Sequence, residues 1–198
     1  MKKVLITGGA GDWAVSFLNS MNEKYQIHTP DRSELDVTDK MGVEKYLSHN
    51  DFDVVINNAG TIHPKRILDS DDDLWIRDIE VNLIGTFLVS KHALKANDEC
   101  LIINMSSAAG FSAYPDWSSY CSSKAAVNTL TKSIAADGYN AVSLCPGGFD
   151  SKFRNNFNLD NSNLMTCSEV TDYVEKAIEG DFESGSVVFF RQDDVKVY

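Results

Sequence analysis

The chain has 198 residues, 43% of them hydrophobic and 10% aromatic, which is typical of one soluble globular domain with a substantial core. Its formal net charge of −11 argues against nucleic acid or an anionic membrane as the main partner, because both would repel an acidic surface. The four cysteines form no CxxC pair, and no leader or membrane-spanning run is evident, so we expect a reduced, cytoplasmic protein.

Short apolar segments alternate with helical patterns along the chain. Strands are predicted at residues 4–6, 25–29, 53–56, 101–105, 141–145 and 186–190. Helices are predicted at residues 12–23, from Thr38 as the N-cap to about 49, and at 74–95, 118–136 and 168–179. Continuously apolar strands separated by helices indicate a parallel sheet covered on both faces. We therefore predict a doubly wound α/β fold, with residues 1–198 forming a single domain.

A glycine-rich turn, Thr7-Gly8-Gly9-Ala10-Gly11-Asp12-Trp13-Ala14, follows the first predicted strand. Glycines let the backbone turn tightly and approach a pyrophosphate, whose charge the N-terminus of the next helix can meet. Such a turn can also be only a tight connection, but its place after strand one favours a dinucleotide site. Further along, the carboxylate of Asp31 could accept hydrogen bonds from the adenosine ribose and repel a 2′-phosphate, which favours NAD. The neighbouring Arg32 is a good phosphate partner and leaves NADP as the alternative.

The segment Tyr120-Cys121-Ser122-Ser123-Lys124 places a phenol and an ammonium one turn apart on predicted helix 118–136. A free phenol titrates near pH ~10, and a neighbouring cation is expected to lower that pKa towards neutrality. Ser107, thirteen residues before Tyr120, could hold a substrate oxygen against the phenol. These groups suit the interconversion of an alcohol and a carbonyl. A Tyr-xxx-Lys pair alone is common on solvated helices, so this interpretation depends on the other motifs.

With these motifs in this order, the chain resembles the short-chain dehydrogenase/reductase family over nearly its whole length. The glycine-rich turn resembles the family's cofactor motif, although its spacing is closer to the TGxxGxxG of the branch that acts on nucleotide sugars, with Ala14 as the last position. Asp36-Val37 matches the pair expected near the adenine, and Asn57-Asn58-Ala59-Gly60 matches the NNAG motif. Pro146-Gly147, followed by Ser151, resembles the segment that contacts the nicotinamide end.

The resemblance also implies roles for the candidate catalytic residues. Tyr120 would be the general acid or base, Lys124 would lower its pKa and bind the nicotinamide ribose, and Ser107 would orient the substrate oxygen. Asn82, within Val81-Asn82-Leu83, would anchor a water in a proton relay from Lys124 to solvent. An Asn at this position also suits a helix kink or a backbone cap.

The family resemblance thus implies a Rossmann-type fold, and the four catalytic candidates are Asn82, Ser107, Tyr120 and Lys124. The cofactor site expected from it, for NAD or NADP, consists of Thr7, Gly8, Gly11, Asp12, Trp13, Asp31, Arg32, Asp36, Val37, Asn58, Ala59, Gly60, Tyr120, Lys124, Pro146, Gly147 and Ser151. No metal site is expected, because the His residues and the acidic clusters lack metal-ligand spacing.

Some features depart from the family pattern. The carboxylate of Asp12 next to a pyrophosphate is unfavourable unless it points to solvent. Residues 150–167 are expected to form a reduced substrate lid, because only 47 residues follow Ser151. Four aromatic residues are candidates for the lining of a small pocket, although each could simply pack in the core: Tyr114, Trp117, Phe149 and Phe153. We also expect helices 74–95 and 118–136 to form a homo-dimer or tetramer.

The function expected from these features is an NAD(P)-dependent oxidoreductase acting on a small carbonyl or secondary alcohol substrate. One alternative is a nucleotide-sugar reductase or epimerase, suggested by the glycine spacing, although the chain has little room for the larger substrate region of such enzymes. Another is a non-catalytic NAD(P)-binding regulator, with which a small lid is compatible. The presence of Ser107, Tyr120 and Lys124 argues against a pure sensor.

Overall fold

The computed structural model describes residues 1–156, 164–192 and 194–198, with side chains except those of residues 155 and 156. Within these ranges the strands form one sheet in the order β2-β1-β3-β4-β5-β6-β7. The strands are Lys3–Ile6 (β1), Gln26–His28 (β2), Val54–Asn57 (β3), Leu101–Met105 (β4), Ala141–Pro146 (β5), Val187–Arg191 (β6) and Asp194–Val197 (β7). Strands β1 to β6 are parallel, and β7 is antiparallel to β6.

Helices connect the strands and cover both faces of the sheet. The α-helices are Asp12–Met21 (α1), Lys40–Ser48 (α2), Asp72–Ile79 (α3), Thr86–Ala96 (α4), Ser118–Ala136 (α5) and Cys167–Glu179 (α6). Helices α3 and α4 are joined by a π-helical turn at Glu80–Gly85, so the helix predicted at 74–95 is present with a π-helical interruption. No helix in the described part of the chain is both long and apolar enough to cross a membrane.

The central strands are buried on both faces, which explains their continuously apolar sequences. In β1, Val4 and Ile6 pack on the side of α1 and α6, with Phe17 among their neighbours. Leu5 points to the other face, where it packs with side chains of α2 and α4 such as Leu47. This alternation repeats in β3, β4 and β5. The doubly wound α/β fold of the Rossmann type predicted from the sequence is therefore confirmed.

The structure differs from the sequence predictions at the start of α2 and at the last strand. The N-cap of α2 is Asp39, whose side chain accepts a hydrogen bond from the backbone N–H of Met41, whereas the Thr38 hydroxyl donates to Asp36 instead. The carboxylate of Asp39 thus takes the capping position one residue after the predicted one. Strand β7 was not predicted, because an edge strand of alternating polar and apolar residues at 194–197 carries little burial signal.

The topology positions a ligand site at one edge of the sheet. The chain passes from β1 to β2 on one side and returns to β3 on the other side of β1. This reversal opens a crevice beyond the carboxyl ends of β1 and β3, where ligands of open α/β sheets bind. The glycine-rich turn, the NNAG segment, Ser107 and the segment after β5 all follow strands at this edge.

Candidate active site

A groove of about 360 Å³ runs along the carboxyl ends of the strands, from the turn after β1 to helix α5. Most of the expected cofactor residues contribute to its wall: Gly8, Gly11, Asp12, Trp13, Arg32, Asp36, Val37, Asn58, Ala59, Gly60, Tyr120, Lys124, Pro146 and Ser151. Its volume lies within the range of about 300–1,000 Å³ that small-molecule and cofactor sites occupy.

Three expected cofactor residues lie outside this wall. Thr7 lies beneath it, where its hydroxyl accepts hydrogen bonds from the backbone N–H groups of Asn58 at 3.0 Å and Ala59 at 3.1 Å. Gly147 lines the neighbouring cavity instead. The carboxylate of Asp31 accepts hydrogen bonds from the backbone N–H and the hydroxyl of Ser33, and so it caps its own turn.

The turn after β1 requires glycine for steric reasons. Gly8 has a φ of +70°, a conformation that L side chains rarely adopt, and a Cβ at Gly9 would overlap the carbonyl oxygen of Thr29. Gly11 is the N-cap of α1 and offers no side-chain acceptor to the first amides of that helix. On the groove wall, the Thr61 hydroxyl is buried without a hydrogen-bond partner among the described residues. Unsatisfied donors and a close backbone fit an anionic, polar ligand such as a dinucleotide.

Asp12 and Trp13, which follow the last glycine of this turn, do not block the groove. The carboxylate of Asp12 accepts a hydrogen bond from the backbone N–H of Lys152 and lies 3.5 Å from its ammonium nitrogen. Asp12 thereby ties the segment after Ser151 to the start of α1. The Trp13 side chain is only 3% exposed and packs against the ring of Phe17, with 5.3 Å between the ring centroids, so it forms part of the wall.

The far end of the groove carries two arginines around one carboxylate. Arg32 Nε lies 3.0 Å from the carboxylate of Asp36, and the guanidinium of Arg77 lies 3.6 Å from the same oxygen. Burial alone would raise the pKa of Asp36, but hydrogen bonds from Thr38 and the pairing with Arg32 lower it to about 2. Asp36 therefore stays ionised and holds both guanidinium groups at the groove.

At the other end, Tyr120 and Lys124 lie side by side on the first turns of α5. The Lys124 ammonium nitrogen is 5.6 Å from the centroid of the Tyr120 ring, and it donates a hydrogen bond of 2.7 Å to the carbonyl of Met105 at the end of β4. The structure thus brings the two side chains together, as the helical spacing predicted.

A second cavity of about 400 Å³, which we call the aromatic cavity, adjoins the groove, and Tyr120 lines both. Ser107 lines the aromatic cavity, and its hydroxyl accepts a hydrogen bond from the backbone N–H of Ala109 at 3.1 Å. The candidate lining residues all contribute to its wall: Tyr114, Trp117, Phe149 and Phe153. Residues 157–163 of the expected lid lie outside the described residues, but its two ends meet where Phe149 pairs with Met165.

Burial determines the protonation of the two candidate catalytic groups. It raises the pKa of Tyr120 to about 12, although a hydrogen bond with Ser107 acts in the lowering direction. Burial lowers the pKa of Lys124 to about 8. The expectation that Lys124 would bring the pKa of Tyr120 down towards neutrality was therefore wrong. Desolvation disfavours both charged forms, and the ammonium is engaged by the Met105 carbonyl.

Asn82, in the π-helical turn, is fully buried and clamps two elements of the site. Its side-chain oxygen accepts a hydrogen bond from the backbone N–H of Thr61 at 2.8 Å, and its amide donates to Ser123 in α5 at 3.1 Å. Its backbone carbonyl accepts a hydrogen bond from the Thr86 hydroxyl. The structural role that an Asn at this position could take is thus observed.

Sequence reasoning missed a second buried clamp, one helical turn before Asn82. The carboxylate of Asp78 is fully buried and bonds to the ring Nδ1 of His63 at 2.8 Å, to the backbone N–H of His63 at 3.0 Å and to the Ser119 hydroxyl at 2.6 Å. Ser119 precedes Tyr120, so this carboxylate fixes the start of α5. The signal was an acidic residue four positions before Asn82, on the same face of the predicted helix.

The low pKa of Lys124 predicts how the stability of the ligand-free protein depends on pH. Because the folded-state pKa of about 8 lies below the ordinary 10.5, the unfolded chain binds more protons between these values, and stability rises with pH across this window. The gap corresponds to about 3 kcal/mol. Urea unfolding at pH 7, 8.5 and 10 should show wild type gaining stability relative to Lys124→Met.

The matched control is Lys132→Met, which removes an exposed lysine from the same helix. This variant should follow the wild-type pH dependence throughout. Identical pH profiles for wild type and Lys124→Met would contradict the assignment of a desolvated ammonium at this position.

Comparison with known proteins agrees with this geometry. A family model described as short chain dehydrogenase matches residues 3–162. A 3beta-hydroxysteroid dehydrogenase of Mediterraneibacter gnavus is 29% identical over 147 residues, which cover 71% of this chain and 53% of that protein. A 2-keto-3-deoxy-L-fuconate dehydrogenase of Xanthomonas campestris pv. campestris is 38% identical over 122 residues, 57% of this chain and 41% of that protein. The chain spans about half the length, or less, of the first three of the curated relatives it matches, and 67% of another.

Solved structures share the fold over nearly the whole chain. A 4-hydroxyisoleucine dehydrogenase complexed with NADH superposes with a TM-score of 0.83 at 22% identity and covers 96% of both chains. A gluconate 5-dehydrogenase from Burkholderia cenocepacia in complex with NADP and tartrate gives a TM-score of 0.84 at 20% identity and covers 96% of this chain and 93% of that one. From the match of the family model, the chain belongs to the short-chain dehydrogenase family.

Proposed function

We propose that the chain is an NAD(P)-dependent oxidoreductase that interconverts a carbonyl and a secondary alcohol on a small substrate. The observation that carries this proposal is the position of Tyr120 between the groove and the aromatic cavity, with Lys124 on the groove side and Ser107 on the other. Relatives named as dehydrogenases, and neighbouring structures that hold NADH or NADP, support it.

The nicotinamide, when bound in the groove, supplies or accepts the hydride. In reduction, the Tyr120 phenol gives its proton to the carbonyl oxygen, which the Ser107 hydroxyl holds in place. The raised pKa of Tyr120 keeps the phenol protonated, as a general acid must be. In oxidation, the phenolate form of Tyr120 takes the hydroxyl proton, and because burial raises the pKa of this phenol, oxidation is favoured at high pH. We propose that Asn82 contributes by fixing the loop at Thr61 against α5, and that a water relay to solvent starts from Lys124.

The role of Tyr120 predicts a selective loss of turnover. Tyr120→Phe should lower kcat by about 10²–10⁴-fold, because it removes the proton donor while keeping the ring. The Kd for NADH should stay nearly unchanged. Turnover of a panel of ketones and aldehydes, followed at the nicotinamide absorbance, measures the first quantity, and fluorescence titration measures the second.

Tyr114→Phe is the control, since Tyr114 is another tyrosine in the wall of the aromatic cavity. This variant should keep most of the wild-type kcat. Tight binding of NADH without turnover of any carbonyl, in wild type as in Tyr120→Phe, would overturn the proposal and favour the non-catalytic regulator.

We propose that the groove accepts both NAD and NADP. The expected preference for NAD rested on Asp31, whose carboxylate is engaged by Ser33. Arg32 is a surface guanidinium in the groove wall, and when it leaves Asp36 it can bind a 2′-phosphate. Arg77 then keeps Asp36 paired.

Arg32→Ala should therefore weaken the binding of NADPH by about fivefold, the effect of an exposed charged contact, and change the binding of NADH little. Titration of both nucleotides into both proteins measures this ratio. Arg66→Ala, which removes an exposed arginine paired with Asp116 outside the groove wall, should leave both affinities unchanged. An equal loss for NADH and NADPH in Arg32→Ala would contradict the assignment.

We also propose a homo-dimer or tetramer built on the long helices. The stretch from α3 to α4 exposes large apolar side chains, namely Leu74, Ile76, Ile84 and Phe87, each at least 40% exposed. Helix α5 exposes small side chains at helical spacing, Ser122, Ala125 and Thr129, which allow a second helix to approach closely. Covering these surfaces with a second copy removes apolar area from water.

Phe87→Glu should then lower the solution mass at micromolar concentration, as measured by light scattering after size exclusion. Leu68→Glu, at an apolar side chain that is 94% exposed outside these helices, should keep the wild-type mass. A monomeric mass for the wild type would refute this arrangement.

A further inference from the structure

We propose that the aromatic cavity takes a substrate that carries a carboxylate, and that Arg191 binds this carboxylate. The inference rests on the proposed oxidoreductase function and adds the substrate class: a small keto acid or hydroxy acid. The carbonyl or alcohol carbon lies at Ser107 and Tyr120, and the acid group lies at the β6–β7 hairpin.

The aromatic cavity carries guanidinium groups in an otherwise acidic protein. The net charge of the protein is −11, yet the charged residues that the structure describes in this wall are Arg154, Arg191 and Asp194. The Asp194 carboxylate is already paired with the ammonium of Lys196 at 3.1 Å. Within the described wall, Arg191 is therefore the hairpin group that can attract an anion.

Arg191 lies in the wall of the same cavity as Ser107 and Tyr120. It is the last residue of β6, and its Cβ is 3.0 Å from the position that a Cβ on Gly147 would take. The N–H of Gly147 donates a hydrogen bond of 2.7 Å to the carbonyl of Phe190, which fixes the two segments together. The preceding Pro146 lines both the groove and the aromatic cavity. The backbone and Cβ of Arg191 are thus packed against Pro146-Gly147, the segment expected to contact the nicotinamide.

The guanidinium of Arg191 is available to a ligand. It lies over the ring of Phe189, 5.1 Å from the centroid, and makes no hydrogen bond or ion pair with another described residue. The hairpin that carries it is held to the base of the lid, since the side-chain amide of Gln192 donates to the carbonyl of Leu164 at 3.1 Å. The strand end and this contact hold the backbone at Arg191, and its exposed guanidinium lies over the Phe189 ring.

The remaining wall explains why such a partner is needed. The aromatic rings of Tyr114, Trp117, Phe149 and Phe153 offer little to compensate a desolvated carboxylate. A guanidinium compensates it well, because its planar donors match both carboxylate oxygens. A carboxylate in this cavity can therefore bind through Arg191, whereas the neutral ester of the same acid gains little from that guanidinium.

The test compares keto acids with their methyl esters, which differ in charge at one end only. Benzoylformate and levulinate are each paired with the methyl ester, and each compound is assayed for turnover and for the rise in Tm that it causes in NADH-saturated protein. For wild type we expect the acids to have the higher kcat/KM and the larger rise in Tm. Arg191→Gln should lower kcat/KM for the acids about 10- to 100-fold and leave the esters unchanged. Arg191→Lys should restore part of the loss.

Lys132→Gln is the control, because it removes one positive charge from an exposed position outside the wall of the aromatic cavity. It should keep the preference for acids. Equal behaviour of acid and ester in wild type, or an equal loss for both in Arg191→Gln, would overturn the inference. If no compound is turned over but the acids still raise Tm in wild type and not in Arg191→Gln, the anion site stands and the oxidoreductase proposal fails.

Discussion

The hydrogen bond from the Lys124 ammonium to the Met105 carbonyl is the contact on which the site depends. It joins the first turns of α5 to the end of β4 at 2.7 Å, inside a region from which water is largely excluded. A buried ammonium with few partners is costly, and its lowered pKa reflects that cost. Because this hydrogen bond holds α5 against β4, it also holds Tyr120, on the same helix face, between the groove and the aromatic cavity. The Lys124 ammonium can therefore donate further hydrogen bonds to the oxygen atoms of a bound ligand.

Buried side chains outside the reacting groups hold this arrangement in place. Asn82 and Asp78, on consecutive turns, tie the segment of residues 61–63 to α5 through Thr61, His63 and two serines. Buried polar groups that are fully paired specify one arrangement strongly, because any other leaves them unsatisfied. The π-helical turn at Glu80–Gly85 carries Asn82, and irregular turns of this kind are frequent at functional sites.

The sequence alone predicted the six parallel strands and most of the residues that line the groove, because those signals are local. Apolar runs marked the buried strands. The glycine-rich turn and the NNAG segment come at the ends of β1 and β3, and the Tyr-xxx-Lys segment lies near the end of β4. Properties that depend on several distant segments were not predictable. Asp31 was expected in the groove but caps its own turn, and the importance of Asp78 depends on residues 15 and 41 positions away. The pKa of Tyr120 moved in the unexpected direction because burial outweighed its neighbour, and burial is a property of the whole fold.

In the proposed mechanism, the groove delivers a nicotinamide to Tyr120 from one side while a substrate reaches Tyr120 from the aromatic cavity on the other side. A crystal structure of the protein with NADH or NADPH bound tests this most directly. We expect the nicotinamide ring beside Tyr120 and Lys124, with the adenosine end near Arg32 and Asp36. A nucleotide bound in the opposite direction, or bound outside the groove, would contradict the account.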